Sequence, residues 1–136
     1  MSAPFSFEVV SPEALVLGGE AIAVDVPGAE GYFTAMANHA PFMTTVKPGV
    51  VNVKMEDGSV ERIFVRGGFA DVSPSGLTLL AEHATLVKDL DVAILDDHIQ
   101  KVREDLAELE GERRVKLERI LNQLEEGKAE VMVEIN

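Results

Sequence analysis

Apolar and polar positions alternate with a period of two in the first part of the chain and switch to a helical period in the last third. Phe5, Phe7 and Val9 alternate with Ser6 and Glu8, the pattern of a strand with one buried face. Ser11-Pro12 ends that run, and short apolar runs follow at Ala14–Leu17 and Ala21–Val26 with Gly18-Gly19 between them. Val51, Val53 and Met55 alternate with Asn52 and Lys54. Glu56-Asp57-Gly58-Ser59 then predicts a hairpin turn into Val60–Arg66. Gly67-Gly68 separates this run from a strand at Phe69–Val72, and Ser73-Pro74-Ser75-Gly76 turns the chain into Leu77–Ala81. Short strands at this spacing, punctuated by turns, predict an antiparallel sandwich or barrel, and the sandwich is preferred.

Later the period changes. Leu95, Ile99, Val102, Leu106 and Leu109 recur at alternating steps of four and three, a stripe along one helix from Asp91 to Leu109. Asp89 or Asp91 suits its N-terminus, where an acid both caps and complements the helix dipole. Gly111 marks a break, and Leu117, Ile120, Leu121 and Leu124 form a second stripe that runs to Gly127. Two helices joined so closely should lie antiparallel as a hairpin. Beyond Gly127, Val131, Val133 and Ile135 alternate with Met132 and Glu134, a pattern open to either a short extended piece or a frayed end. The expected class is therefore α+β, a sandwich over residues 1–88 followed by a helical hairpin over 89–136.

Composition supports that boundary. All six prolines lie at or before Pro74, and of the eleven glycines only Gly111 and Gly127 lie beyond Gly76. The absence of cysteine excludes disulfides, thiolate metal sites and cysteine nucleophiles. A formal net charge of −12 opposes binding to nucleic acid or to anionic lipid headgroups. The sequence Met1-Ser2-Ala3-Pro4-Phe5 carries no positive and apolar leader pattern, and no apolar run approaches the roughly 20 residues of a membrane helix. The expectation is a soluble chain that meets any membrane through another protein.

Candidate chemistry is sparse. His39 sits in the turn Asn38-His39-Ala40-Pro41 and suits a structural hydrogen bond, and His83 beside Glu82 forms no wider constellation. Asp96-Asp97-His98 looks like a ligand cluster, but neighbours on a helix point about 100° apart and do not converge on one ion. Neither a P-loop nor a dinucleotide glycine fingerprint occurs, nor any hydrolase or metalloprotease signature. Arg113, Arg114, Lys116 and Arg119 alternate with Glu110, Glu112 and Glu118, as on an ion-paired exposed helix face. No catalytic residue, metal ligand or cofactor is expected.

Residues 27–49 crowd turn-formers (Pro27, Gly28, Gly31, Asn38, Pro41, Pro48 and Gly49) around apolar side chains. Within them Glu30-Gly31, then His39-Ala40-Pro41-Phe42, then Lys47-Pro48-Gly49 resemble the E-G…G-H-A-P-L…K-P-G signature of the epsilon subunit of the F-type ATP synthase of bacteria. Gly67-Gly68-Phe69-Ala70-Asp71-Val72 and Leu79-Leu80-Ala81-Glu82 are similar to that family's G-G-x-x-E-V and L-A-D strands. The resemblance covers residues 1–90 in detail and the remainder in character.

It implies a noncatalytic rotor subunit in the central stalk, coupling c-ring rotation to ATP synthesis through the gamma subunit. The sandwich would bind gamma and the c-ring, on the cytoplasmic face of the bacterial inner membrane. Glu30, Gly31, Tyr32 and Phe33 match the loop that faces the c-ring, while His39, Ala40 and Pro41 would brace the neighbouring turn. In many relatives the hairpin is a switch that, raised along gamma, reaches toward the alpha/beta head. Leu90-Asp91 match the start of a nucleotide-binding motif of some relatives, [IL]-D-x-x-R-A, but Ile94-Leu95 replace its Arg-Ala, so no nucleotide is expected. Two other readings compete. A free-standing β-sandwich binding module, for carbohydrate as an example, with a dimerising helical hairpin would want an aromatic platform, but Tyr32 is the one tyrosine and tryptophan is absent. A small hydrolase would depend on His39 or Asp71.

Overall fold

The computed structural model describes residues 3–135, with side chains through Met132. Seven strands precede two helices: β1 Phe5–Val10, β2 Leu15–Gly28, β3 Gly31–Ala35, β4 Phe42–Thr45, β5 Gly49–Met55, β6 Val60–Ser73, β7 Gly76–Leu86, α1 Val92–Leu106 and α2 Glu112–Ile135. The expected β-sandwich followed by a helical hairpin is what forms. Strands β1, β7, β6, β5 and β2 are hydrogen-bonded in that order, and β1 pairs back with β2, which closes the sheet on itself. Strand β3 is added beside β2, and β4 beside β6. Every pairing is antiparallel except β1–β7, which is parallel and departs from the all-antiparallel expectation.

The sequence pattern divides β2 and β6 into shorter strands at their glycine pairs, yet each is one continuous strand of fourteen residues. In β6 the inward side chains are Ile63 and Val65 before the glycines, and Ala70 and Val72 after them. The inward parity therefore changes from odd to even. Gly67 and Gly68, both at positive φ (77° and 126°), supply the backbone angles for that roll. Pairing with β7 keeps its register across the change, from Arg66↔His83 to Gly68↔Ala81. Strand β2 makes the same change by a bulge between Ala21 and Ala23, so that Ala21, Val24 and Val26 all face inward. Long strands that roll from one layer to the next form the corners of the sandwich. The core between the layers is wholly apolar, and includes Phe5, Phe7, Val9, Val51, Val53, Ile63, Val65, Leu77 and Leu79.

Among the described residues the hairpin has a core of its own, Leu95, Ile99 and Val102 of α1 against Leu124 of α2. Ion pairs Arg103–Glu125 and Asp96–Lys128 cross between the antiparallel helices. Asp91 is the cap: its Oδ1 accepts from the backbone N–H of Ala93 (2.9 Å) and Ile94 (3.4 Å). Asp91→Ala is expected to cost about 1 kcal/mol, visible as faster amide exchange at Ala93 and Ile94. After α1, Gly111 (φ 71°) turns the chain, and Arg114 Nη1 donates to the Leu106 carbonyl near the end of α1.

Helix α2 does not stop at Gly127 as the stripe predicts, but continues to Ile135. The last turns are thus neither extended nor separated from the helix by a break, while the side chains of Val133 and Ile135 lie outside those described. Gly127 is a contact notch: a Cβ built there would overlap the Phe64 ring on the outer face of β6. One turn later Val131 is fully buried against Val50 and Phe64.

Candidate functional site

The residues of the signature stretch converge. Strands β2 and β3 form a tight hairpin with Gly28 opposite Gly31, leaving Ala29-Glu30 at the tip. Gly31, at φ 123°, takes an angle that side chains avoid. The tip is braced from β4 and the segment after it. Thr44 Oγ1 accepts from Ala29 N (3.3 Å), Val46 bridges to Gly28, and Lys47 N donates to the Pro27 carbonyl (2.8 Å).

Glu30 and Gly31 are exposed, Tyr32 is 49% exposed, and Phe33 is half-buried. Phe33 packs edge-on against Phe42, with ring centroids 5.2 Å apart, and lies 6.4 Å from the His39 ring. His39 Nδ1 donates to the Ala40 carbonyl (2.7 Å), which fixes that nitrogen as the protonated one because a carbonyl only accepts. Asn38 turns the chain at φ 66°, with its N–H donating to the Pro74 carbonyl. Ala40 and Pro41 are exposed beside it. The Lys47-Pro48-Gly49 stretch has its own reason: a Cβ on Gly49 would lie 2.8 Å from the Tyr32 hydroxyl and 3.1 Å from Pro27 Cβ. The glycine makes room for the phenol. Leu90 is half-buried beside Val50 and Phe64, and the Asp91 carboxylate is engaged in its cap.

A second feature escaped the sequence reading. On the outer surface of the β4–β6–β7–β1 sheet, register aligns Thr45, Phe69, Leu80 and Val10 in one row. Phe69 and Leu80 are more than half exposed, and Met43, in the adjacent row, is 67% exposed. Val10, Pro12, Phe69 and Leu80 line an open, mostly apolar cleft with Glu82 at its edge. Alternation alone could have located these residues, but only after the parity change at Gly67-Gly68 is known.

Above this row lies a small polar group. Burial holds Arg66 below the usual guanidinium range, partly offset by Glu82. His83 is held below the ordinary imidazole value first by burial and then by the charge of Arg66. Among the described residues no three acidic, histidine or cysteine side chains gather as a metal site, and the Asp96-Asp97-His98 run lies exposed along α1.

The family model for the ATP synthase delta/epsilon chain β-sandwich domain matches residues 4–87. The chain belongs to the ATP synthase epsilon-chain family. The epsilon chain of Mesorhizobium japonicum is 52% identical over 125 residues, spanning 91% of this chain and 93% of its own. That of Brucella suis biovar 1 is 50% identical over 127 residues, with the same 91% and 93% spans. Among solved structures, a chain of the Euglena gracilis mitochondrial ATP synthase, imaged with its OSCP, F1 and c-ring parts, superposes with a TM-score of 0.77 at 19% identity. The match spans 93% of this chain and 80% of that one. A chain of the Tetrahymena thermophila central stalk and c-ring assembly gives 0.52 at 9% identity, over 65% of this chain and 70% of its own. At such identities these two likenesses are of fold. The epsilon-chain family is thus reached through the sequence, and no helix among the described residues is long and apolar enough to cross a membrane.

Proposed function

We propose that this chain is a noncatalytic central-stalk subunit of an F-type ATP synthase, which turns with the gamma subunit and the c-ring and couples their rotation to ATP synthesis. The observation that carries the reading is the bare apolar row Phe69–Leu80–Val10 with Met43 beside it, on a sandwich whose own core is already closed. Contiguous exposed apolar surface of this kind marks a docking face. We assign it to gamma. The β2–β3 tip, with Glu30, Gly31, Tyr32 and Phe33, is assigned to the polar loops of the c-ring, and His39, Ala40 and Pro41 to bracing it through the Phe33 contact. A net charge of −12 suits a neighbour that presents basic loops.

In this reading residues 1–88 are the foot of the stalk, and residues 89–136 are an arm whose raised position would meet the alpha/beta head. The complex would hold the chain peripherally at the cytoplasmic face of the bacterial inner membrane. Support comes from epsilon chains at about half identity along nearly the whole length.

The test is assembly. Glu30→Lys reverses the charge at position 30, and Tyr32→Asp places a carboxylate where the ring stood. The double variant should co-purify with the membrane sector at least about tenfold less well, a loss of roughly 1.4 kcal/mol or more, while the sandwich keeps its far-UV spectrum. Normal co-purification would remove the tip from the interface.

A further inference from the structure

Among the described residues, three apolar groupings partition the molecule. One fills the sandwich, one fills the hairpin, and the third joins them through three buried residues, Val50, Phe64 and Val131, with Val87 and Leu90 at its margin. The arm is therefore held on the sandwich by a small junction. At the edge of that junction stands a side chain from the β2–β3 tip. The Tyr32 hydroxyl accepts from the backbone N–H of Val50 at 3.1 Å, and donates toward Glu130 Oε2 of α2 across a longer 3.4 Å. One oxygen thus lies between strand β5 and helix α2, next to a residue of the junction itself.

The surroundings show that the position is built. Gly49 lacks the Cβ that would crowd the hydroxyl. Gly31, Tyr32, Pro27 and Pro48 from the sandwich, with Ala129 and Glu130 from α2, line one cleft of about 300 Å³ where the tip meets the helix. Strand β3, which carries Tyr32, is an edge strand paired with β2 alone, so it is held less firmly than its neighbours.

We infer that Tyr32 links the tip of the β2–β3 hairpin to the docking of the helical arm, so that a change at either is felt at the other. With the arm docked, α2 fixes the phenol and the phenol orders the tip. When the arm leaves, the tip loses the Glu130 end of that bridge and loosens. Linkage works equally in reverse: a neighbour that moves the Tyr32 ring on binding the tip weakens the arm's seat by the same factor. That consequence rests on the tip being a contact surface, as proposed above. The linkage itself does not.

The full-length chain without any partner therefore provides the test. It contains no cysteine, so Lys54→Cys and Lys101→Cys introduce a pair of spin labels at exposed sites, one on the sandwich and one on α1. Electron-electron distance measurements then report the undocked fraction. Tyr32→Phe and Glu130→Ala should each raise that fraction about two- to tenfold, the weight of one exposed hydrogen bond. The double variant should be no worse than the worse single, because both remove the same bridge. Glu130→Ala should also speed amide exchange at Gly31 and Phe33 by about the same factor, with Ile63 and Leu79 unchanged as a check on the sandwich core. Additive effects of the two substitutions, an undocked fraction that does not move, or unaltered exchange at the tip would each overturn the linkage. Should Tyr32→Phe disturb the sandwich itself, Glu130→Ala alone decides, since it changes only the helix and leaves no acceptor there. A negative result here leaves the c-ring assignment untouched, and a negative assembly result leaves the linkage untouched.

Discussion

Gly68→Ala is expected to unfold the sandwich or to lower its stability by about 3 kcal/mol or more. Gly68 sits at φ 126°, and a Cβ there would overlap the Leu80 carbonyl oxygen and lie 2.8 Å from Ala81 Cα. Both obstacles are backbone of the paired strand β7, so neither can rotate away. The strand would have to separate from its neighbour at the point where β6 rolls between layers. Gly67→Ala provides the contrast. Its φ is 77°, and the atoms in its way belong to the Glu82 carboxylate, the far end of a flexible side chain. It should cost only about 1–2 kcal/mol. Thermal melts of the two variants check the ranking: the first should fall by about 10 °C or more, the second by much less. Equal shifts would mean that the strand tolerates the overlap by a route other than separation.

Gly127→Leu should detach the arm and leave both of its helices formed. Glycine inside a helix is less favourable than alanine by about 1 kcal/mol, so the substitution raises the intrinsic helicity of α2. At the same time the new side chain must occupy the space of the Phe64 ring. Overpacking of this kind costs about 1–3 kcal/mol where a core can adjust, and here it falls on a junction that, among the described residues, has three buried members. Separation of the arm is the easier adjustment. The expected signature is unchanged or increased far-UV helicity together with faster amide exchange at Val50 and Phe64. Retained protection at those amides would show that the helix slides instead of lifting.

Much of the fold can be read from the sequence because it is written locally. The alternation of Phe5, Phe7 and Val9 needs only one buried face, and the Glu56–Ser59 turn needs only its own residues. The helical stripe of Leu95, Ile99 and Val102 likewise becomes a core against Leu124. The misreadings share another cause. A glycine pair between apolar runs is locally the same whether it reverses the chain or rolls it, and Gly67-Gly68 roll it because β7 stays paired on both sides. The parallel β1–β7 pairing joins strands far apart in sequence and leaves no local sign. Gly127 reads as a helix end by propensity, yet a tertiary contact with Phe64 overrides it.

The site divides along the same line. Glu30, Gly31, His39, Pro41 and Gly49 can be picked out as a set by their spacing and by resemblance. Why Gly49 is glycine becomes plain only when the Tyr32 phenol lies over it. The approach of Tyr32 to Glu130 spans 98 positions and has no periodicity to betray it. The exposed row of Phe69 and Leu80 emerges only when the β6–β7 register sets the two side chains side by side.

The roll in β6 places two apolar footholds on one uninterrupted ribbon. Phe64 supports the arm from one stretch of that ribbon, and Phe69 faces outward from the next. If Phe69 meets a neighbour as proposed, a pull on it would be carried by hydrogen-bonded backbone to the arm's seat, with no slack loop in between to absorb it.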